Sequence, residues 1–290
     1  MIRVRHLVLS VFIATIFISL SVFRPALGQQ VEINDTQIQY NRGQNVAPIY
    51  EGWIKKKDGS IDLWFGYLNR NYEEVLHIPV GENNKIEPGD TNQGQPSVFI
   101  PRRRSGGAMS RREGYVFRLT LPPGTDPEIE VTWTVSAYGH TDQAVATLLP
   151  VYALEPPADG NKPPTVSLGP NNTQTTTTSG VTLTASVSDD GLPENQRSAG
   201  TTLPNQRFSR GTIKWEQYHG PGNVTFRPSS SPISTETETV KDVKLTTTAF
   251  FDEPGIYTLR AVVNDGATNP AGYPRVPSTT FQSVTVTVTQ

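Results

Sequence analysis

Five arginines stand close together at Arg102, Arg103, Arg104, Arg111 and Arg112, around Ser105-Gly106-Gly107-Ala108. A guanidinium is a planar fork of donors matched to carboxylate or phosphate, so such a loop has the chemistry to grip a polyanion. For an exported chain the fitting targets are lipopolysaccharide phosphates or an acidic exopolysaccharide. The competing reading is a solvated loop neutralised by Glu82, Glu87, Asp90 or Glu113. A second constellation is aromatic: Trp53, Trp64, Tyr67 and Tyr72, with Asn69, Arg70 and Asn71 between them. Sugar rings stack on flat aromatic faces while amides and guanidiniums bond the hydroxyls, yet aromatics at alternating strand positions also serve as packing. Tyr67, Asn69, Arg70 and Tyr72 join the arginines as candidate ligand-binding residues.

Asp189, Asp190 and Asp265 close predicted strands and form a candidate calcium set. Calcium takes about six to eight oxygens. Only three acids are in view, with no D-x-D-x-D run, and Asx turns explain them more simply. No other metal and no cofactor is indicated. The histidines are His6, His77, His140 and His219, none at a metal-ligand spacing such as H-E-x-x-H. There is no G-x-S-x-G elbow, no phosphate-cradling glycine loop and no cysteine. The expectation is a protein that is not an enzyme.

The elements that must position these groups are strands. Ile61, Leu63, Phe65 and Tyr67 line one face after the hairpin signal Asp58-Gly59, and Trp64 and Leu68 fall on the other, as if that strand were covered on both sides. Tyr115, Phe117, Leu119 and Leu121 alternate, as do Ile129, Val131, Trp133 and Val135. Further on, Val181, Leu183, Ala185 and Val187 alternate with Ser and Thr, and so do Val284, Val286 and Val288 with Thr. One apolar and one hydroxyl face per strand is what a two-sheet sandwich requires. Segments 192–210 and 229–239 are expected to be surface loops.

Residues 7–23 are an apolar run after Arg3 and Arg5, followed by Ala26-Leu27-Gly28. This pattern predicts a secretory signal over residues 1–28, or, if retained, an N-terminal anchor. Cleavage would leave 262 of the 290 residues, with 22 bases against 27 acids and no further membrane-spanning stretch. That mild acidity argues against bulk nucleic-acid binding. Export without cysteines means domains held by core burial alone, which fits a bacterial envelope. The protein is expected to be periplasmic, cell-surface or extracellular.

Pro156-Pro157 and Pro163-Pro164, with Gly160 and Asn161 between, predict a stiff linker over residues 156–164. It separates a β domain over residues 29–155 from a second over residues 165–290. The second domain resembles the polycystic-kidney-disease (PKD) type of Ig-like domain. The resemblance rests on Pro163-Pro164-Thr165-Val166, Ser188-Asp189-Asp190-Gly191, Trp215 through Gly222, Pro254-Gly255-Ile256-Tyr257 and Asn264-Asp265-Gly266. It implies a sandwich with Trp215 in the core and Tyr257 at a corner, used for adhesion, spacing or ligand contact. The first domain is similar to a module of uncharacterised exported bacterial proteins, on Tyr50-Glu51-Gly52-Trp53, Phe65-Gly66-Tyr67-Leu68-Asn69-Arg70-Asn71-Tyr72 and Ile78-Pro79-Val80-Gly81.

The expected fold is therefore all-β, with an irregular sandwich or barrel followed by an Ig-like, PKD-type sandwich. The expected function is a non-catalytic exported interaction or scaffold protein binding polysaccharide or another polyanion. The alternatives are a structural component assembled by strand pairing, and an accessory domain of an exported enzyme.

Overall fold

The hairpin signal Asp58-Gly59 sits where the first two strands turn. In the computed structural model, β1 (Val46–Lys55) and β2 (Ile61–Asn69) pair antiparallel, and Asp58 Oδ1 accepts from Ser60 N at 3.0 Å and Ser60 Oγ at 2.6 Å to fix the turn. The structure describes residues 40–101, 111–154, 161–170, 172–191, 210–234, 239–265 and 278–290. The expected signal and most of the expected linker lie outside them. The chain is all-β, and the helical content of the described residues is a 3-10 turn at Pro150–Tyr152.

Seven strands follow β1 along or beside the first core: β2, β3 (Leu76–His77), β4 (Asn84–Glu87), β5 (Val98–Phe99), β6 (Arg112–Leu121), β7 (Val131–Ala137) and β8 (His140–Ala146). They make three small sheets, β1-β2-β6, β4-β7-β8 and β3-β5. Ile61, Leu63, Phe65 and Tyr67 all enter one buried cluster, as their alternation requires, where Phe65 stacks on Phe117 and both meet Trp133 edge-on. Trp64 points the other way and is also buried, under Tyr115 and Phe281, so β2 is covered on both faces.

Tyr115 departs from the sequence pattern. The β2–β6 register slips between Phe65 and Tyr67, and Tyr115 takes a positive φ of 55°. A bulge of this kind inserts residues on one strand and reverses which face the next side chain takes. Tyr115 therefore packs against Trp64 while Phe117, Leu119 and Leu121 fill the core.

The remaining strands are β9 (Thr165–Gly169), β10 (Asn172–Thr176), β11 (Val181–Asp189), β12 (Arg210–His219), β13 (Val224–Arg227), β14 (Ser230–Ser234), β15 (Val240–Phe251), β16 (Gly255–Asn264) and β17 (Thr279–Thr289). They form two sheets, β13-β15-β11-β9 and β10-β17-β16-β12-β14. Read as strands A, B, E and D opposite C, F and G, that is the Ig arrangement, with β10 added parallel to β17 and β14 added beyond β12. The alternating valines and leucines of both sheets meet in a second buried cluster around Trp215. Tyr257 Oη donates to Glu253 O at 2.7 Å and accepts from Gly222 N at 3.2 Å, the corner expected of it.

The loop expected over residues 229–239 is in part a strand. Ser230–Ser234 lacks an apolar alternation, but its backbone pairs with β12 and it sinks Ile233 into the core at 3% exposure.

Residues 40–290 form one compact unit. Arg260 of β16, only 3% exposed, reaches across to donate to Val116 O at 2.8 Å while its Nη2 and Nε bind Glu216 Oε1 at 2.6 and 3.1 Å. Its guanidinium lies 4.0 Å from the Tyr218 ring and 4.5 Å from that of Phe281. Lys214 bridges Glu216 at 3.2 Å and Glu113 at 2.7 Å. Ser97 N donates to Tyr218 O, Tyr218 Oη to Gly94 O, and Tyr218 itself joins the first core. This seam locks the small sheets onto the sandwich.

Candidate functional site

Each described arginine of the candidate set already has a partner supplied by a distant element. Arg70 at the end of β2 pairs with Asp142 of β8 at 3.2 Å. Arg112 at the start of β6 pairs with Glu51 of β1 at 2.5 Å. Burial raises the Glu51 carboxyl above its ordinary pKa, and Arg112 offsets only part of that rise. Arg111 lies over the Tyr72 ring at 4.4 Å and donates to Arg70 O. Arg70, Tyr72 and Arg111 are thus brought together, with Asp142 beside them. Arg102, Arg103 and Arg104 lie outside the described residues.

Within that loop set Arg112 pairs with Glu51 of β1, which is not among the sequence neighbours Glu82, Glu87, Asp90 and Glu113, while Glu113 bonds Lys214 and Arg70 takes Asp142. Strand pairing brings residues 72 and 61 positions apart into contact, which linear proximity does not reveal.

Tyr67 and Asn69 are also corrected, from ligand contacts to internal supports. Tyr67 is 3% exposed, and its hydroxyl donates to Ile100 O and accepts from Ile100 N. Asn69 is fully buried; its amide donates to Glu74 O and Phe99 O, and its Oδ1 accepts from Asn71. Their alternation and polarity suited either role, and burial decides it.

The three aspartates each accept a hydrogen bond from within the protein. Asp189 Oδ2 accepts from Gly191 N, Asp190 Oδ2 from Lys162 N, and Asp265 Oδ2 from Asn161 Nδ2 at 2.8 Å. Among the described residues no three His, Cys, Asp or Glu side chains come together as a metal-holding group. Asp189 makes the Asx turn, while Asp190 and Asp265 each bond a residue distant in the chain. His77 and His219 both sit in the seam: His77 Nδ1 faces Gly220 O at 3.2 Å, and His219 Nδ1 faces Ser97 Oγ at 3.0 Å.

The structure adds a feature that the sequence reading passed over. A groove of about 570 Å³ runs between residues 74–83 and the β7–β8 hairpin. Its rim includes Glu74, Glu82, Asn83, Ser136 and Tyr138. Tyr138 and Gly139 form the hairpin's two-residue turn, both at positive φ (52° and 75°), and Ala137 pairs with His140. Tyr138 Oη donates to Glu74 Oε1 at 2.5 Å, a bond that raises the phenol's pKa. Glu74 Oε2 accepts from Gly43 N at 2.7 Å. The available sequence signal was Tyr138-Gly139, where a hairpin turn ordinarily carries Asn-Gly.

No protein family and no curated protein matches the chain. Among solved structures the chain is similar to dimeric latent PorU from Porphyromonas gingivalis, at 10% identity and a TM-score of 0.25. The match covers 85% of this chain, which spans 24% of that one. Similarity at that level carries no argument about fold or activity. No helix among the described residues is long and apolar enough to cross a membrane.

Proposed function

We propose that this chain is a non-catalytic exported binding protein of the bacterial cell envelope, with ligand contacts on the first region and an Ig-like, PKD-type sandwich as its rigid mount. The observation that carries this reading is the seam. Arg260, sandwiched between Tyr218 and Phe281 and bonded to Glu216 and Val116 O, fixes the loops of the first region against β12, β16 and β17. Binding by preformed surfaces gains from such rigidity because little ordering entropy is lost on association. The titratable groups near the surface are spent on holding shape, as with Arg70–Asp142, Arg112–Glu51 and Lys214–Glu113.

Assembly by strand pairing fits less well. The sandwich edges β9, β10, β13 and β14 are four or five residues long and rich in Thr and Ser. Short, polar edges are how sheets avoid unwanted pairing.

The test is co-sedimentation of the chain lacking residues 1–28 with isolated envelope and exopolysaccharide fractions, at low and high salt. Retention in a carbohydrate fraction supports the reading. Absence from every fraction, with self-association in solution, would replace it with the assembly role.

A further inference from the structure

Tyr138 stands out as a bulky residue in a costly place. A two-residue hairpin with left-handed backbone at both positions is filled most cheaply by Asn, Asp or Gly, and a bulky side chain there is an outlier. Core packing does not compensate, since the ring is 55% exposed. Yet it is held: its hydroxyl is fastened to Glu74, whose other oxygen is fastened to Gly43 N. A strained and exposed residue that is nonetheless held in place points to function.

The surroundings name the chemistry. Pro79 and Val80 give the groove apolar surface, while Glu82, Asn83 and Ser136, whose hydroxyl also bonds Thr141 Oγ1 at 2.8 Å, line it together with Tyr138. The lining carries two carboxylates, His77 and neither lysine nor arginine, and the Arg42 charge acts on Tyr138 from outside it. An acidic chain would meet two carboxylates against that one guanidinium, whereas carboxylates accept readily from sugar hydroxyls.

We propose that this groove binds a neutral glycan, one sugar ring lying on Tyr138 and its hydroxyls bonding Glu82, Asn83 and Ser136. The proposal rests on the binding reading above and names its site and ligand class. It moves recognition from the arginine side chains to the neighbouring groove, and reverses the expected charge preference.

The experiment is isothermal titration of the chain lacking residues 1–28 with neutral oligomers of glucose, mannose and N-acetylglucosamine, and with acidic polygalacturonate oligomers. Tyr138→Asn and Tyr138→Phe are measured beside it, together with their melting temperatures. A neutral oligomer should bind and polygalacturonate should not. Tyr138→Asn should weaken binding roughly tenfold, the loss of about one ring contact. Its melting temperature should be unchanged or raised, because Asn suits the left-handed turn. Tyr138→Phe keeps the ring and should keep most of the affinity. Absence of binding by all neutral oligomers, or preference for polygalacturonate, overturns the proposal. A lowered melting temperature for Tyr138→Asn also overturns it, by making the ring structural. Co-sedimentation with envelope fractions that survives Tyr138→Asn would remove the groove while leaving the broader binding role intact.

Discussion

The two β regions bury their sheet faces without a single disulfide, and they do it with different side chains. The sandwich core is aliphatic, with Val181, Leu183, Leu259, Val263, Val284 and Val286 around Trp215 and Tyr257. The first region buries amides outright: Asn69, Asn71, Asn84 and Gln95 are all fully enclosed among Phe65, Phe99, Phe117 and Trp133. The reason lies in strand length. In the sandwich, strands of nine to twelve residues such as β11, β15 and β17 satisfy most of one another's backbone groups, and the buried amide of Gln217 serves the turn at Gly222 and Val224. In the first region β3 and β5 have two residues each and β4 has four. Their connecting segments leave buried carbonyls that only a side-chain donor can meet.

The seam between the regions should give the largest effect. Arg260→Ala removes a charge-assisted bond to Glu216 and the only described side-chain donor to Val116 O, within a site where Arg260 is 3% exposed. Breaking a buried pair from one side costs about 3–5 kcal/mol, with Lys214 offsetting part of the charge left on Glu216. Urea unfolding should show this loss. A value near zero would mean that the seam is not a stabilising contact. Glu216→Gln with Arg260→Met should cost less than the single change, because it leaves no buried charge.

Next comes the amide core. Asn84 donates to Ile78 O and Pro96 O and accepts from Trp133 Nε1 at 2.9 Å. Asn84→Leu gains apolar surface but strands three buried groups, at about 1–3 kcal/mol for each partner left unmet, so a net loss of roughly 3 kcal/mol is expected. The comparison would fail if Leu were tolerated there as well as a swap such as Val286→Ile in the sandwich.

A smaller effect belongs to the corner. Tyr257→Phe keeps the buried ring but deletes the hydroxyl that joins Glu253 O to Gly222 N. The expected cost is about 1–2 kcal/mol, read from the urea midpoint. An unchanged midpoint would show that water replaces the hydroxyl at no cost.

These cases show what the chain made legible. Period-2 alternation revealed β11 and β17 because in a regular strand each side chain's face follows from its position alone. Tyr257 was readable through the resemblance to an Ig-like domain, whose corner tyrosine it matches. Tyr115 was misplaced because a bulge breaks that counting. Ser230–Ser234 was taken for loop because an edge strand can pair through backbone alone. The roles of Tyr67 and Asn69 turned on burial. The partners of Arg70 and Arg112 turned on which strands meet, and the Tyr138 groove on two segments joined only in space. The seam was least legible of all: Arg260 and Lys214 look like solvated strand-face charges until Val116, Glu113 and Phe281 arrive against them.

The last and smallest expected effect concerns pH, and it tests whether the seam is as dry as its contacts imply. Burial lowers the pKa of His219 from its ordinary value of 6.5, and the Arg260 charge lowers it further. The groups facing it are Ser97, Arg260 and the Tyr218 ring. A histidine whose folded pKa is depressed binds fewer protons folded than unfolded, so its contribution is complete above about 6.5 and is lost as pH falls through the lower folded value. Seam stability should therefore drop between pH 7.5 and pH 5.5, and His219→Gln, which retains a polar partner for Ser97, should flatten that slope. Carboxylates titrating over the same interval act on both proteins alike, so the difference between the two curves isolates the histidine. Identical slopes would mean that water reaches His219, and that the two regions meet less tightly there than at Arg260.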